Sequence, residues 1–501
     1  MAENKKSATE TTEKVMTKYD KKVQKRKEAE LKAKKEKVKS RIISTAVVLV
    51  LIAVVAYFPI RKSIALSSAY IEIGENKVTE LEFEYYYNMA VNTFVTENSY
   101  WLSYLGLDTT KDLAEQQYTE HITWDDYFQQ TAVNNLSQVK ALAKEGKEAG
   151  FEYDATADVE LHNETMKTEA AANNMPVKNY VKVLYGEYAT LKNIKDIVAE
   201  SYYAVAYYDH LYDSQDVTDD EITAYYNENT KNFDSVDYKL ITVEADLPEG
   251  EKTTDAEGKE TTADPTDEQI AAAMEKAKAE ADSKLAVIDT EGVLTKNAKY
   301  ASVSGYYADW LFNEARKAGD TTVIENTSGN SYYVLKFENR YLDETKSVNV
   351  RVIATSTDMG ATIKEEWNST GANEDAFIAL VEKYSEDTYT KTKGGLFENL
   401  TASSLSGELG AWLLDGARQA GDVEAIAVSG DYYYVVYYLG QGEAEWKSSI
   451  DATLRSADTE AYVTEITNAM EVVDTKGKLT YEEAYAAQES ASAETSTEAA
   501  K

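Results

Sequence analysis

The sequence predicts an α+β chain: a single N-terminal transmembrane helix, an α-helical domain, and two tandem small antiparallel sheets with surrounding helices. Three observations predict it. An apolar run, IISTAVVLVLIAVVAYFPI, stands between Arg41 and the pair Arg61 and Lys62. Capped, amphipathic helical patterns then fill about 150 residues, the size of a domain. Beyond them WLFNEARKAGD, residues 310–320, returns as WLLDGARQAGD, residues 412–422, with seven of eleven letters identical. Each copy is followed by a Tyr- and Val-rich run, SYYVLKF or YYYVVYY, which marks a duplicated module.

At the N-terminus, residues 1–41 hold fifteen Lys plus Arg against seven Asp plus Glu, so this tail carries +8 and the rest of a chain of net charge -36 carries -44. The nineteen residues 42–60 would span about 29 Å as a helix, close to the roughly 30 Å of bilayer hydrocarbon. Positive charge on the N-terminal side predicts a cytoplasmic basic tail over 1–41, a single-pass helix in the cell membrane over 42–60, and an extracytoplasmic bulk. A cleaved signal peptide ending near Ser67, Ser68 and Ala69 is the rival reading; the length of the apolar run and the interruption at Arg61 and Lys62 favour an uncleaved anchor.

The outer part opens with a strand and a GEN turn from Tyr70, then a helix capped by Thr79. Thr123 with Asp126 reads as a capping box, and Phe128, Ala132, Leu136, Val139 and Ala143 fall on one helix face ending at Gly150. Further helices are expected near 159–173, 176–186 and 187–212. Thr218 and Glu221 box one more helix with Ile222, Tyr225 and Tyr226 on its apolar side. Two strand–helix–strand copies follow over 236–345 and 346–445, the first with a polar insertion at 245–266. A last helix is expected over 449–473, and residues 476–501 read as a disordered acidic tail.

Composition excludes several chemistries. With no cysteine and three histidines, His121, His162 and His210, at no ligand spacing, neither a metal site nor a His-based triad is expected. An outer part this acidic does not neutralise phosphates, so no nucleic acid partner is expected. No cofactor is implied.

IEIGENKVTELEFE, VTDDEITAYYNENTKNF and above all KYSEDTYTKTKGGLFENL resemble the extracytoplasmic foldases of the SurA and PrsA type. These combine a helical chaperone domain with parvulin-type (PpiC, rotamase) peptidyl-prolyl isomerase domains, and the resemblance covers nearly everything from Tyr70 to Val473. It implies a SurA-N-like chaperone domain over 70–235, completed by the helix 449–473, and two parvulin-like domains at 236–345 and 346–445. The chemistry it implies is rotation about an X-Pro amide, whose barrier is about 18–20 kcal/mol. In the family two histidines and an Asp or Cys form the polar network. Asp387 in YSEDT matches the acid. The first-strand histidine aligns with Val352 and Leu240, the last-strand histidine with Tyr434 and Tyr333. The first copy has no counterpart of YSEDT or GG and is degenerate.

Asp387 and Tyr434 are therefore the candidate, vestigial catalytic pair, and Leu396, Phe397, Leu405 and Trp412 are read either as a substrate pocket or as ordinary core. The expected function is a membrane-anchored extracytoplasmic foldase or holdase for unfolded or newly secreted polypeptides. An active prolyl isomerase working through the second copy is the alternative, and a structural cell-envelope interaction protein the second alternative. The 38 tyrosines against 10 phenylalanines suit loose, amphipathic contact with many clients.

Overall fold

The computed structural model describes residues 57–248, 264–387, 393–429 and 432–489, with short pieces within 32–49 and 252–262 and residue 391. The chain divides into two compact units, Met1–Leu211 with Glu460–Lys501, and Tyr212–Thr459.

In the first unit, β1 (Ala69–Ile73) and β2 (Asn76–Thr79) form a hairpin, and α1 (Glu80–Glu97) starts where the Thr79 side chain accepts a hydrogen bond from the Glu82 amide. Helix α2 (Trp124–Glu148) opens on the Thr123–Asp126 capping box, both of whose bonds are formed. Phe128, Ala132, Leu136 and Ala143 of its predicted stripe are buried, because positions three and four apart stack on one side of a helix. Helices α3 (Thr156–Ala172), α4 (Val177–Tyr185) and α5 (Lys195–Asp213) complete the layer. Ile71, Ile73, Val78, Leu81, Leu136, Val181 and Ile194 share one core. Trp124 and Phe128 stack at 5.7 Å in a second cluster. Charged groups also lie inside: buried Lys140 on α2 is 2.6 Å from buried Glu82 of α1 and 2.5 Å from half-buried Glu200 of α5.

Three expectations are corrected here. Among the described residues no helix is long and apolar enough to cross a membrane, which overturns the transmembrane helix expected over 42–60 and with it the single-pass cell-membrane localisation. Residues 42–43 and 50–56 of that run, and nearly all of the tail 1–41, lie outside the described residues. The helical stretch at 57–67 is tied to the first unit: the Arg61 guanidinium donates to both Glu80 oxygens, and Ala65 is fully buried.

The last helix, α11 (Glu445–Asn468), stops short of the predicted 473. Val472–Val473 instead forms a strand, β11, at the edge of β1, where Glu72 faces Val473. Two β-branched residues favour the pleated edge over a last helical turn. The disorder expected from 476 is also overturned as far as residue 489. Residues 481–489 are helical, Leu479 and Tyr481 pack on the core, and the Asp474 carboxylate accepts from the Leu479 amide at 2.7 Å. Thr480 donates to Asp126 at 2.5 Å, so the capping acid of α2 also fixes this segment. Residues 490–501 lie outside the described residues.

The second unit begins with α6 (Asp219–Glu228), whose Thr218–Glu221 box is formed. Two four-stranded antiparallel sheets follow. The first has the order β4-β3-β6-β5, from β3 (Asp234–Glu244), β4 (Val293–Lys299), β5 (Thr321–Asn326) and β6 (Ser331–Leu342), with α7 (Asp267–Lys284) between β3 and β4 in sequence. The second repeats this order as β8-β7-β10-β9, from β7 (Lys346–Thr355), β8 (Leu396–Leu400), β9 (Val423–Ser429) and β10 (Tyr432–Ala444). Helices α8 (Gly360–Ser369) and α9 (Glu374–Tyr384) join β7 to β8, and α10 (Gly407–Leu413) leads toward β9.

The repeated eleven-residue segment builds one turn twice. The Asp320 carboxylate accepts from the Lys317 amide at 3.0 Å, and Asp422 accepts from the Gln419 amide at 3.0 Å. Gly319 and Asp320 exchange backbone bonds with Phe337, as Gly421 and Asp422 do with Tyr438. The arginine then lies over the tryptophan: Arg316 is 4.8 Å from the Trp310 ring centre and Arg418 4.5 Å from that of Trp412. The letters shared by the copies are those that close the last hairpin onto the preceding helix.

Candidate functional site

Alternation along the strands of the second sheet sends residues to opposite faces. Val348, Val350 and Val352 of β7, Val436 and Tyr438 of β10 and Ile426 of β9 form the floor of one face. Half-buried Phe397, Leu400, Leu405, Leu409, Trp412 and Tyr434 pack against it. Ile353, Val435 and Tyr437 point the other way, onto Ile363, Phe377 and Leu380 of α8 and α9.

Of the residues singled out in the sequence, Phe397, Leu405, Trp412 and Tyr434 are thus brought together. Leu396 is not: it stands opposite Arg351 in the β7 register, whereas Phe397 stands opposite Val350, so the two side chains leave opposite faces of the strand. Tyr434 faces Ala354 across the β7–β10 pair. The SED segment is bound at that same residue. The Ala354 amide donates to the Ser385 hydroxyl at 3.2 Å, the Glu386 amide donates to the Ala354 carbonyl at 2.8 Å, and the Glu386 carboxylate accepts from the Ser356 amide at 3.1 Å. Half-buried Asp387 is therefore held at the end of the sheet where Tyr434 stands.

The KGG turn has a structural role of its own. Gly395 adopts φ +73° and its carbonyl accepts from the Val352 amide at 2.8 Å; a Cβ there would sit 2.5 Å from the Val352 carbonyl oxygen. Arg351 donates to the Gly394 carbonyl at 2.9 Å and to Glu374 at 2.8 Å, pinning the turn to α9. Sequence reasoning missed Arg418, which covers one side of Trp412; the ARxxGD letters common to both copies carried that signal. It also missed Leu409 and Ile426, whose only sign was strand and helix periodicity.

The equivalent face of the first sheet is closed by tyrosines. Tyr307 packs 5.9 Å from Tyr238 and 5.1 Å from Tyr333, and the Tyr333 oxygen accepts from the Asn326 amide group at 3.0 Å. Burial, then a hydrogen bond to Tyr238, pushes the Tyr307 phenol well above its ordinary range, so it stays protonated.

All three histidines precede residue 212, so the second unit contains no imidazole. Among the described residues no group of His, Cys, Asp and Glu is arranged to hold a metal ion. A polar cavity of about 560 Å³ opens at the start of β7, lined by Lys346, Leu413, Arg418, Tyr438 and Gln441 among others; it is at the opposite end of the strand from Ala354. In the first unit, Tyr86, Met89, Val139, Leu142, Ala204 and Val205 line an apolar groove of about 290 Å³ between α1, α2 and α5.

No family model matches the chain, and no curated protein matches it. Solved structures similar to it are foldases of the PrsA type and SurA-like chaperones. They include the foldase protein PrsA of Streptococcus pneumoniae, at 12% identity over 70% of this chain and 89% of that one, with a TM-score of 0.18. The peptidylprolyl isomerase PrsA of Bacillus anthracis follows at 10% identity, over 67% of this chain and 94% of that one, with a TM-score of 0.17. A SurA-like chaperone of Campylobacter jejuni is 8% identical over 66% of this chain and 98% of that one, with a TM-score of 0.16. At TM-scores this low the likeness supports no argument about residues or mechanism.

Proposed function

We propose that the chain is a foldase or holdase that grips unfolded polypeptide segments, with parvulin-like modules at 236–345 and 346–445 that keep a binding face and have lost most of the isomerase network. One observation carries the reading: Phe397, Leu405, Trp412 and Tyr434 share a half-buried apolar face in a unit that holds no histidine. Catalysis of amide rotation needs donors and acceptors that favour the twisted, less conjugated amide over the planar one. A valine at 352 and a tyrosine at 434 leave an apolar floor with one phenol in that place. The groove lined by Met89 and Val205, which are 38% and 58% exposed, offers a further apolar surface in the first unit.

A second reading, residual isomerase activity, is favoured by the clamp at Ala354 that holds Asp387 at the Tyr434 end of the sheet. A proline-peptide exchange assay on the whole chain separates the two. The holdase reading expects exchange at the uncatalysed rate, unchanged by Asp387→Ala or Tyr434→Phe. Acceleration abolished by either substitution would establish the isomerase instead.

A further inference from the structure

The loop that follows α1, residues 98–106 with the sequence NSYWLSYLG, takes no part in the sheets or in the apolar groove. It is a built turn. The Trp101 amide donates to the Asn98 carbonyl at 2.8 Å, the Leu105 amide to Trp101 at 2.9 Å, and the Leu107 amide to Leu102 at 3.0 Å. Leu102 and buried Leu107 point inward and join the cluster of Trp124 and Phe128. That arrangement sends the large rings outward: Tyr100 is 92% exposed, Trp101 63% and Tyr104 85%. Trp101 and Tyr104 meet edge to face at 6.3 Å. A lone exposed apolar side chain is ordinary, but three exposed aromatic rings within five residues of one hydrogen-bonded turn, two of them in contact, mark an interaction surface.

The charge around the loop selects its partner. No basic residue occurs between Lys77 and Lys111, and the acids nearest the loop along the chain are Glu97 before it and Asp108 after it. Lys111 is itself engaged, 3.0 Å from Asp108. Exposed Glu97 precedes the loop, and exposed Asp112 and Glu115 follow it. Aromatic faces attract ammonium and guanidinium groups, and neighbouring carboxylates add to that attraction at short range. The net charge of -36 draws cationic chains in and repels acidic ones. Because the turn is already ordered and tyrosine and tryptophan each have two side-chain torsions, little entropy is lost when they bind.

We propose that this loop is a docking surface for Lys- or Arg-bearing segments of unfolded polypeptides. The inference rests on the client-binding reading above and names the class of client segment. It is tested on the full chain by fluorescence anisotropy with two labelled, unstructured peptides of equal length and apolar content, one bearing Lys and Arg and its twin bearing Glu. The basic peptide is expected to bind roughly tenfold more tightly than its twin, a difference that falls as salt is added. The triple variant Tyr100→Ser, Trp101→Ser, Tyr104→Ser is expected to lose roughly tenfold in affinity for the basic peptide with an unchanged circular dichroism spectrum. Glu97→Gln with Glu115→Gln is expected to weaken only the basic peptide.

If the triple variant binds the basic peptide as the parent does, while the parent suppresses client aggregation, the loop assignment fails and the chaperone reading stands. A parent that neither binds peptide nor suppresses aggregation overturns both. If the triple substitution changes the sedimentation coefficient and leaves peptide affinity alone, the loop is a contact between copies and the assignment is likewise wrong.

Discussion

Replacing Lys140 by methionine removes one cation from between a buried carboxylate, Glu82, and a half-buried one, Glu200. The Lys140 side chain is 7% exposed and those of Glu82 and Glu200 are 10% and 24% exposed, at 2.6 and 2.5 Å. Burial alone would lower the Lys140 ammonium, but the two carboxylates outweigh it and hold it above the ordinary lysine range. Burial already pushes the Glu82 carboxyl upward, and Lys140 opposes that shift. Breaking such an arrangement from one side leaves uncompensated charge and costs about 3–5 kcal/mol. For a unit of this size that is a fall in midpoint of roughly 6–20 °C.

The sign of the pH dependence follows. Without Lys140 the folded-state pKa of Glu82 rises further above its unfolded value, so the stability linked to its protonation is present at low pH and is lost as pH rises through the folded pKa. Thermal unfolding of Lys140→Met at pH 8 and at pH 5 therefore shows the larger deficit at pH 8, in the transition that hydrogen exchange assigns to α1, α2 and α5. Adding Glu82→Gln recovers at least half of it. A deficit below about 1 kcal/mol at pH 8, the range of an exposed pair, or one independent of pH, would refute the buried-triad argument.

Glu84 is held up to about 7, first by burial and then by Glu80 and Glu187, and its Oε2 has no hydrogen-bond partner among the described residues. A raised folded pKa gives stability that is full below about 4.5 and fades as pH rises through about 7; after discounting for its partial exposure, Glu84→Gln should stabilise the first unit by about 1–2 kcal/mol at pH 8 and by little at pH 5. Gly395→Ala, which combines a left-handed backbone with a collision at Val352, should destabilise the second sheet by about 2 kcal/mol or more in urea unfolding, and a loss under 0.5 would contradict the geometry. Arg418→Ala removes the cover of Trp412 and its bonds to Asp415 and Asp422, so a loss of about 1–2 kcal/mol and a change in tryptophan emission are expected, with Arg316→Ala behaving alike at Trp310.

What the sequence made legible was local. The Thr123–Asp126 and Thr218–Glu221 boxes were readable because a cap and its acid lie three residues apart, and both form. The eleven-residue repeat was readable as a repeat, but not as a turn in which Arg418 lies over Trp412, since that contact depends on three-dimensional closure. The Lys140 triad joins residues 82, 140 and 200 and has no sequence signature. Val472 and Val473 continue a helical pattern on paper; only the open edge of β1 makes them a strand. Leu396 was grouped with Phe397 because they are neighbours, and pleating separates neighbours. The apolar run 42–60 satisfied a hydropathy rule, but the described helices include none long and apolar enough to cross a membrane, and Arg61 at its edge is bound to Glu80.

The central claim, grip with little chemistry, is tested most directly by light scattering from an aggregating, proline-containing client as the ratio of this chain to client is raised. A holdase acts by mass action on the unfolded state, so suppression should climb with the ratio and level off near about one chain per client. Full suppression at a small fraction of that ratio would point to turnover, and scattering unaffected at any ratio would contradict client binding altogether.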